Sequence, residues 1–435
     1  MTTDNRQSVT APLQNPTIHR TVLDNGIVVL VAENPAADII AARVFVRAGS
    51  CCEPREQAGL AHLLAAVLTK GTPELSSLEI AERVESVGAS LSADAAADYF
   101  LLSLKTVTSD FAEIFELAGK LLRSPTFPEI EVELERRLAL QNIRSQQEQP
   151  FTIGFDCLRQ AMYKNHPYAS SGLGYEATVA TLDRADLQRY HQTYFRPDNV
   201  VISIAGRITP ADAIALVSGV FGDWQRGTTP LLTLMLPTLT PQPDQTITPQ
   251  QTQQSIVMLG YLAPSVQQAD YAALKLLSTY LGNGLSSRLF VELREKRGLA
   301  YDVSAFYPTR QEAAPFVVYM GTAPENTAIA LEGLQREVDL LCTTQLSEYA
   351  LQASKNKLLG QYALSKQTNA QIAQLFGWYE TLGLGIEFDT QFQQQVAGLT
   401  AAVAQQAAGR YLLHPYMSLV GPEEAVNSLV APAII

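Results

Sequence analysis

Apolar residues recur along the chain at two spacings, one suited to strands and one to helices. Near the start, Thr21-Val22-Leu23 and Ile27-Val28-Val29-Leu30-Val31-Ala32 flank Asp24-Asn25-Gly26. β-Branched runs on either side of Asn-Gly predict a hairpin. A further strand is expected over 39–49. A helical stretch follows over 57–69. A second helix opens at Ser76, where Glu79 follows by three as in a capping box, and Gly88 closes it. Residues 89–95 and 98–105 read as another hairpin. Helices are expected over 110–123, 128–149, 151–163 and 183–193, then a buried strand from Val200 to Gly206 and a helix over 210–221.

Residues 225–254 carry neither spacing. Pro, Thr and Gln dominate them, and they predict a linker. Beyond it the plan restarts, with a strand from Ser255 to Tyr261, a helix from Asp270 to Leu281, a strand from Phe316 to Gly321 and helices over 324–342 and 347–365. Tyr411 to Pro422 echoes Tyr194 to Gly206 in type and order, passing from a helix through a proline to a strand that ends in glycine. The pattern implies an internal duplication. The expected class is α+β, with two homologous halves, each a mostly antiparallel sheet packed against helices. The expected organisation is a flexible arm over 1–18, an N-terminal half over 19–224, the linker over 225–254 and a C-terminal half over 255–435.

A chain of 435 residues has room for two or three domains. Its formal charge of −12 argues against nucleic acid and anionic membrane as partners. No stretch approaches the apolar length of a membrane span. The polar start, with an early Asp4, fits neither a secretory signal nor an organelle transit peptide. Cys51, Cys52, Cys157 and Cys342 lack Cys-x-x-Cys spacing and read as free thiols of a reducing compartment, so a cytoplasmic location is expected. Cys51 and Cys52 are adjacent, and metal ligation by them is the less favoured reading.

The stretch from Gly59 to Thr72 holds the first candidate chemistry. A His-x-x-Glu-His helix places two imidazoles on one face beside a glutamate, which binds zinc and activates water. Here the run is His62-Leu63-Leu64-Ala65-Ala66. The frame resembles the inverted-zincin peptidases of the pitrilysin family, which includes insulysin and the mitochondrial processing peptidases. The match holds at Gly59, Ala61, His62, Leu64, Lys70, Gly71 and Thr72. The resemblance puts the catalytic base at Ala65, the second zinc histidine at Ala66 and the third zinc ligand at Asn142; a second acidic position is kept as Glu135. One imidazole and one amide are too few ligands for catalytic zinc, so this chain is expected to bind no metal. The ordinary reading of His62 is a helix histidine satisfied by hydrogen bonds. His166, His191 and His414 have no ligand-spaced partners.

The second candidate runs from Ser286 to Tyr301 and is similar to the family's C-terminal signature. The resemblance implies that Arg294 and Tyr301 reach a zinc site, where both can donate hydrogen bonds to substrate backbone and to an oxyanion. Spacing alone reads Leu289, Phe290 and Leu293 as core, Arg288, Glu292 and Lys296 as ion-paired on a solvated face, and Gly298 as the helix stop. Gly282-Asn283-Gly284 reads as a helix cap or as a substrate-contacting loop.

Family members pack two such halves around a cleft, and some bacterial ones divide the labour between two chains. The resemblance therefore implies a non-catalytic subunit of a zinc-dependent peptidase, inactive alone. Arg294 and Tyr301 would act in trans, with zinc on a pitrilysin-family partner. The substrate would be an unfolded peptide, added as an extra strand along 89–95. Whether the isolated chain forms a homodimer is left open. The alternative is an inactive peptide-binding or scaffold protein, similar to respiratory-complex core subunits. A third reading, an active metallopeptidase with unusual ligands, is the least favoured.

Overall fold

The hydrophobic runs fold into two sheets, each the centre of one half. The computed structural model describes residues 17–231 and 236–429. Most of the expected arm, residues 1–16, and residues 232–235 of the expected linker lie outside the described residues. The first half runs β1 (Ile18–Val22), β2 (Val28–Glu33), β3 (Ile39–Val46), α1 (Leu60–Leu68), α2 (Ser77–Ser86), β4 (Ser90–Ala95) and β5 (Phe100–Val107). It continues through α3 (Phe111–Arg123), α4 (Glu129–Gln147), α5 (Pro150–Tyr163), α6 (Glu176–Val179), α7 (Arg184–Tyr194), β6 (Val200–Gly206) and α8 (Pro210–Phe221). The second half has β7 (Gln245–Pro249), β8 (Ser255–Ala263), α9 (Tyr271–Gly282), β9 (Ala300–Phe306), β10 (Ala314–Thr322) and α10 (Thr327–Thr343). It ends with α11 (Glu348–Leu364), α12 (Asn369–Thr381), α13 (Phe388–Gly398), α14 (Ala401–Tyr411), β11 (Tyr416–Gly421) and α15 (Glu423–Val426).

The two sheets repeat one topology. The first has the order β1-β2-β6-β3-β5-β4, and the second β7-β11-β8-β10-β9. Each holds one parallel ladder, β2 with β6 and β7 with β11; its other ladders are antiparallel. The echo between Tyr194–Gly206 and Tyr411–Pro422 is thus the echo of β6 and β11, which hold the same place in their sheets. β7, inside the stretch read as linker, is the counterpart of β2. It joins the edge through backbone hydrogen bonds, which its half-exposed polar side chains do not advertise.

Helices α5 and α12 occupy equivalent places in the repeat, and each covers the other half's sheet. α5 packs on β8 and β11, and α12 on β3 and β6. Missing side chains allow the close approach. A Cβ on Gly377 of α12 would stand 2.4 Å from the Phe45 ring and 2.9 Å from Ser203 Cβ. A Cβ on Gly260 of β8 would meet Met162 Sδ at 2.8 Å and Leu158 Cδ2 at 2.9 Å. Val28, Leu30, Phe45 and Val201 of the first half consequently share one buried core with the second. Polar contacts add to the seam. Glu380 of α12 takes both the Nε (3.0 Å) and an Nη (2.8 Å) of Arg20, and Asn369 donates to the Ile39 carbonyl at 2.8 Å.

Local signals act where expected. Glu79 N donates to Ser76 Oγ at 3.4 Å and Ser76 N to Glu79 Oε2 at 2.8 Å, closing the capping box of α2. Gly26 sits at φ +93° in the first hairpin. No described helix is long and apolar enough to cross a membrane.

Candidate functional site

The approach to α1 is built around a buried carboxylate. Glu53 accepts from the backbone N–H of Gly59 (2.9 Å) and of Ala61 (2.6 Å), satisfying donors that a helix start leaves open. Burial pushes its carboxyl up to about 8, against the pull of those two hydrogen bonds. Gly59 takes φ +99°, and a Cβ there would stand 2.7 Å from the Leu173 carbonyl oxygen. Just upstream, the sulfurs of Cys51 and Cys52 lie 3.7 Å apart. That contact, and then burial, push the Cys51 thiol up, while the same contact lowers Cys52. All four cysteines are free thiols.

α1 buries Leu60, Ala61, Leu63, Leu64, Ala65, Val67 and Leu68, and packs against β4, α4 and α7. His62 and Ala66 are half-buried, and Asn142 is exposed on α4. Burial lowers the His62 pKa, opposed by Asp94 of β4 and Glu135 of α4, so the ring is neutral at pH 7. The ring has no hydrogen-bond partner among the described residues, and its nitrogens are not among the buried polar atoms, so they are open to water. The cause is local: the positions three and four residues on, which share its face, end in methyl groups. Glu135 is ion-paired with Lys70, Nζ to Oε1 2.9 Å, and ties α4 to the end of α1. Among the described residues no three His, Cys, Asp or Glu side chains come together to hold a metal ion. One imidazole, one exposed amide and one carboxylate already paired with lysine do not fit the three protein ligands of catalytic zinc.

The second constellation combines core residues with exposed ones. α9 ends at Asn283, whose amide donates to Gln361 Oε1 at 2.7 Å and whose carbonyl takes Lys357 Nζ. A short π-helical segment over Phe290–Glu295 follows. Leu289 and Leu293 are fully buried. Arg288 binds Glu292 (3.1 Å) and Glu337 (2.6 Å), and Lys296 binds Glu292 (2.8 Å). Gly298 ends the segment at φ +62°. Packing therefore explains these residues, as their spacing suggests.

It does not explain Arg294 and Tyr301. Arg294 is exposed and pairs with no acid among the described residues; its guanidinium lies over the Phe290 ring, 5.0 Å from the centroid. Tyr301 is 61% exposed, and its hydroxyl has no partner among the described residues. It lies on β9, the edge strand of the second sheet, where that sheet's ladder slips. Asp302 pairs with Gly321 and Ala300 with Thr322, so Tyr301 is the extra residue of a β-bulge. Such bulges re-aim a side chain. Spacing alone gave no sign of β9 or of its bulge. The segment and β9 pack on α9, α10 and β10, whereas α1 packs on first-half elements, so the two constellations sit in separate neighbourhoods.

This arrangement has relatives. A family model described as Insulinase (Peptidase family M16) matches residues 28–175, and one described as Peptidase M16 inactive domain matches residues 181–358. The chain belongs to peptidase family M16. An M16 peptidase domain from Pseudomonas fluorescens, described as an inactive domain, superposes with a TM-score of 0.87 at 25% identity, over 93% of this chain and 98% of that one. A protease from Helicobacter pylori also has a TM-score of 0.87, over 94% of this chain and all of that one; at 22% identity it speaks to the fold alone. Among curated relatives, the uncharacterized zinc protease YmxG of Bacillus subtilis is 28% identical, covering 84% of this chain and 90% of its own length. An uncharacterized zinc protease of Mycobacterium tuberculosis is 27% identical over 98% of each chain. α1 and β9 of this chain lie in two repeats of one plan; among the described residues the first motif leaves the His62 ring without a partner, and the second leaves Arg294 without an acid and the Tyr301 hydroxyl without a partner.

Proposed function

We propose that this M16 chain is the non-catalytic subunit of a zinc-dependent peptidase and lends Arg294 and Tyr301 to the active site of a zinc-bearing M16 partner. The observation that carries the reading is the exposure of both side chains, with no acid on Arg294 and no partner for the Tyr301 hydroxyl among the described residues, in a chain whose α1 donor set does not fit zinc. A guanidinium and a phenol held at an edge are suited to donate hydrogen bonds to a peptide carbonyl and to the oxyanion formed when water adds. Neither group needs to touch the metal. The substrate is an extended peptide, and β4, the free edge beside α1, offers the backbone groups that such a peptide pairs with. Catalysis then belongs to the complex, and zinc to the partner.

The test is recovery of the tagged chain from its native cells, with zinc and peptidase activity assayed on the eluate. Co-elution of a His-x-x-Glu-His relative, with zinc and activity that the isolated chain lacks, supports the reading. A partner devoid of zinc and activity would make the chain a scaffold. Zinc-dependent activity in the chain alone would overturn both.

A further inference from the structure

α9 is apolar on nearly every side, yet it carries a lysine in its middle. Tyr271-Ala272-Ala273-Leu274 and Leu276-Leu277 are all buried, and Lys275, half-buried, lies between them. Its Nζ donates to the Tyr307 carbonyl at 2.5 Å. It stands 5.9 Å from the Tyr271 ring centroid and 5.5 Å from that of Tyr307. An ammonium has three donors, and the described residues occupy one of them. No acidic side chain among the described residues pairs with it, and burial alone holds its pKa down, at about 8. A charge partly withdrawn from water without a counter-ion is costly, and two aromatic faces with one carbonyl offset only part of that cost.

Lys275 lines a cavity of about 280 Å³ whose other walls include Tyr271, Leu358, Trp378, Phe388 and Phe392, contributed by α9, α11, α12 and α13. This lies just below the ~300–1,000 Å³ of pockets that take drug-sized ligands, so its occupant is small. The nearby acid is already committed. Asp389 is paired with Lys366 (2.9 Å) and accepts from the Tyr362 hydroxyl (2.7 Å), which also meets the Tyr379 hydroxyl. The cavity thus has mostly aromatic and aliphatic walls, lined also by Thr309, Gln361 and Ser365, and one ammonium with which no carboxylate pairs among the described residues. Neither α1 nor the Arg294–Tyr301 stretch takes part in it.

We propose that this cavity is a binding site for a small apolar carboxylate, with its hydrocarbon part among Trp378, Phe388 and Phe392 and its carboxylate on the Lys275 ammonium. The proposal stands apart from the peptidase reading, because neither motif contributes to the site.

Calorimetric titration of the full chain with 3-phenylpropionate and with hexanoate tests it. The expected result is saturable binding of at least one carboxylate at one per chain, and at least tenfold weaker binding of the matching neutral amide. Lys275→Met, which keeps length and apolar character, should weaken carboxylate binding at least tenfold. Leu358→Trp, which fills the cavity and keeps the lysine, should abolish it. Thermal unfolding and circular dichroism confirm that each variant is folded. Failure of both carboxylates to bind overturns the proposal. So does equal binding of acid and amide, or undiminished binding to a folded Lys275→Met or Leu358→Trp chain.

Discussion

The helix α1 and the stretch from Arg294 to Tyr301 make opposite use of one repeated plan. Around α1 most side chains are accounted for by the fold, with the His62 ring as the exception. Seven residues enter the core, Glu53 caps the start, Lys70 binds Glu135, and the positions facing His62 are alanines. In the second motif the side chains of Arg294 and Tyr301 are exposed and, like those of Glu295 and Arg297 beside them, are held by no ion pair or hydrogen bond among the described residues. Arg294 rests on a ring without an acid, and Tyr301 points outward from a bulge. Exposed side chains without partners contribute little to stability. A bulge that disrupts a ladder to present such a tyrosine calls for a use outside the chain.

On the proposed function, the comparison breaks most visibly in the kinetics of the chain with its proposed zinc-bearing partner. Arg294→Ala and Tyr301→Phe should each lower peptide turnover about 100-fold, the scale of removing one oxyanion donor, with assembly unchanged by size-exclusion chromatography. His62→Ala should leave turnover within about twofold, because the ring binds no described residue that its loss would release. If His62→Ala proved as damaging as Tyr301→Phe, the contrast between the halves would be wrong.

Much of this was legible from local signals. The Ser76–Glu79 box, the Gly26 turn and the Gly298 stop are settled by residues within one turn of each other, so the sequence carries them in full. The exchange of α5 and α12 was not legible. Helical spacing shows that Leu158 and Met162 face something apolar, but not that the surface belongs to the other sheet. β7 is held by backbone pairing and half-exposed polar residues, so its composition resembles a linker. The bulge at Tyr301 has no compositional mark either. Arg294 and Tyr301 were found by resemblance, whereas their exposure needed the fold. Lys275 did leave a signal, a lone cation inside the apolar run Tyr271–Leu277, which periodicity alone passes over.

The seam between the halves supplies the next contrast. Gly377→Val should cost about 2–3 kcal/mol in urea unfolding, because the new side chain overlaps the buried Phe45 ring and Ser203 Cβ. Gly260→Ala should cost less, since it meets only the flexible ends of Met162 and Leu158. Gly360→Ala, in open space on α11, should stabilise by about 0.5–1 kcal/mol. Equal costs at Gly377 and Gly360 would mean that α12 does not pack on β3 and β6 in solution.

The buried cap of α1 gives a smaller effect, visible as a slope with pH. Glu53 keeps its proton to about pH 8 in the folded chain, against an ordinary value of 4.5. Below about pH 4.5 its contribution to stability is fully present. From there to about pH 8 the folded chain binds more protons than the unfolded one, so the contribution is lost as pH rises. Glu53→Gln cannot release a proton, and its unfolding free energy should fall less steeply between pH 5 and pH 8 than that of the parent. Parallel slopes would show that the carboxyl is solvated and that the start of α1 is not built around it.

The smallest effect tests whether the second motif acts through its unpaired groups or merely as a packed unit. Lys296 lies two residues after Arg294 and is ion-paired to Glu292 at 2.8 Å, while Arg288 also holds that carboxylate at 3.1 Å. Exposed pairs one helical turn apart contribute about 0.3–0.5 kcal/mol, and Glu292 keeps a partner when Lys296 is lost. Lys296→Ala should therefore shift the urea midpoint barely beyond error and leave turnover of the complex unchanged. Such indifference beside a 100-fold loss at Arg294 would assign the chemistry to the guanidinium and the phenol, not to the integrity of the stretch. A matching loss at Lys296 would mean that the motif works as a docking element for the partner, and the two exposed side chains would lose their special place.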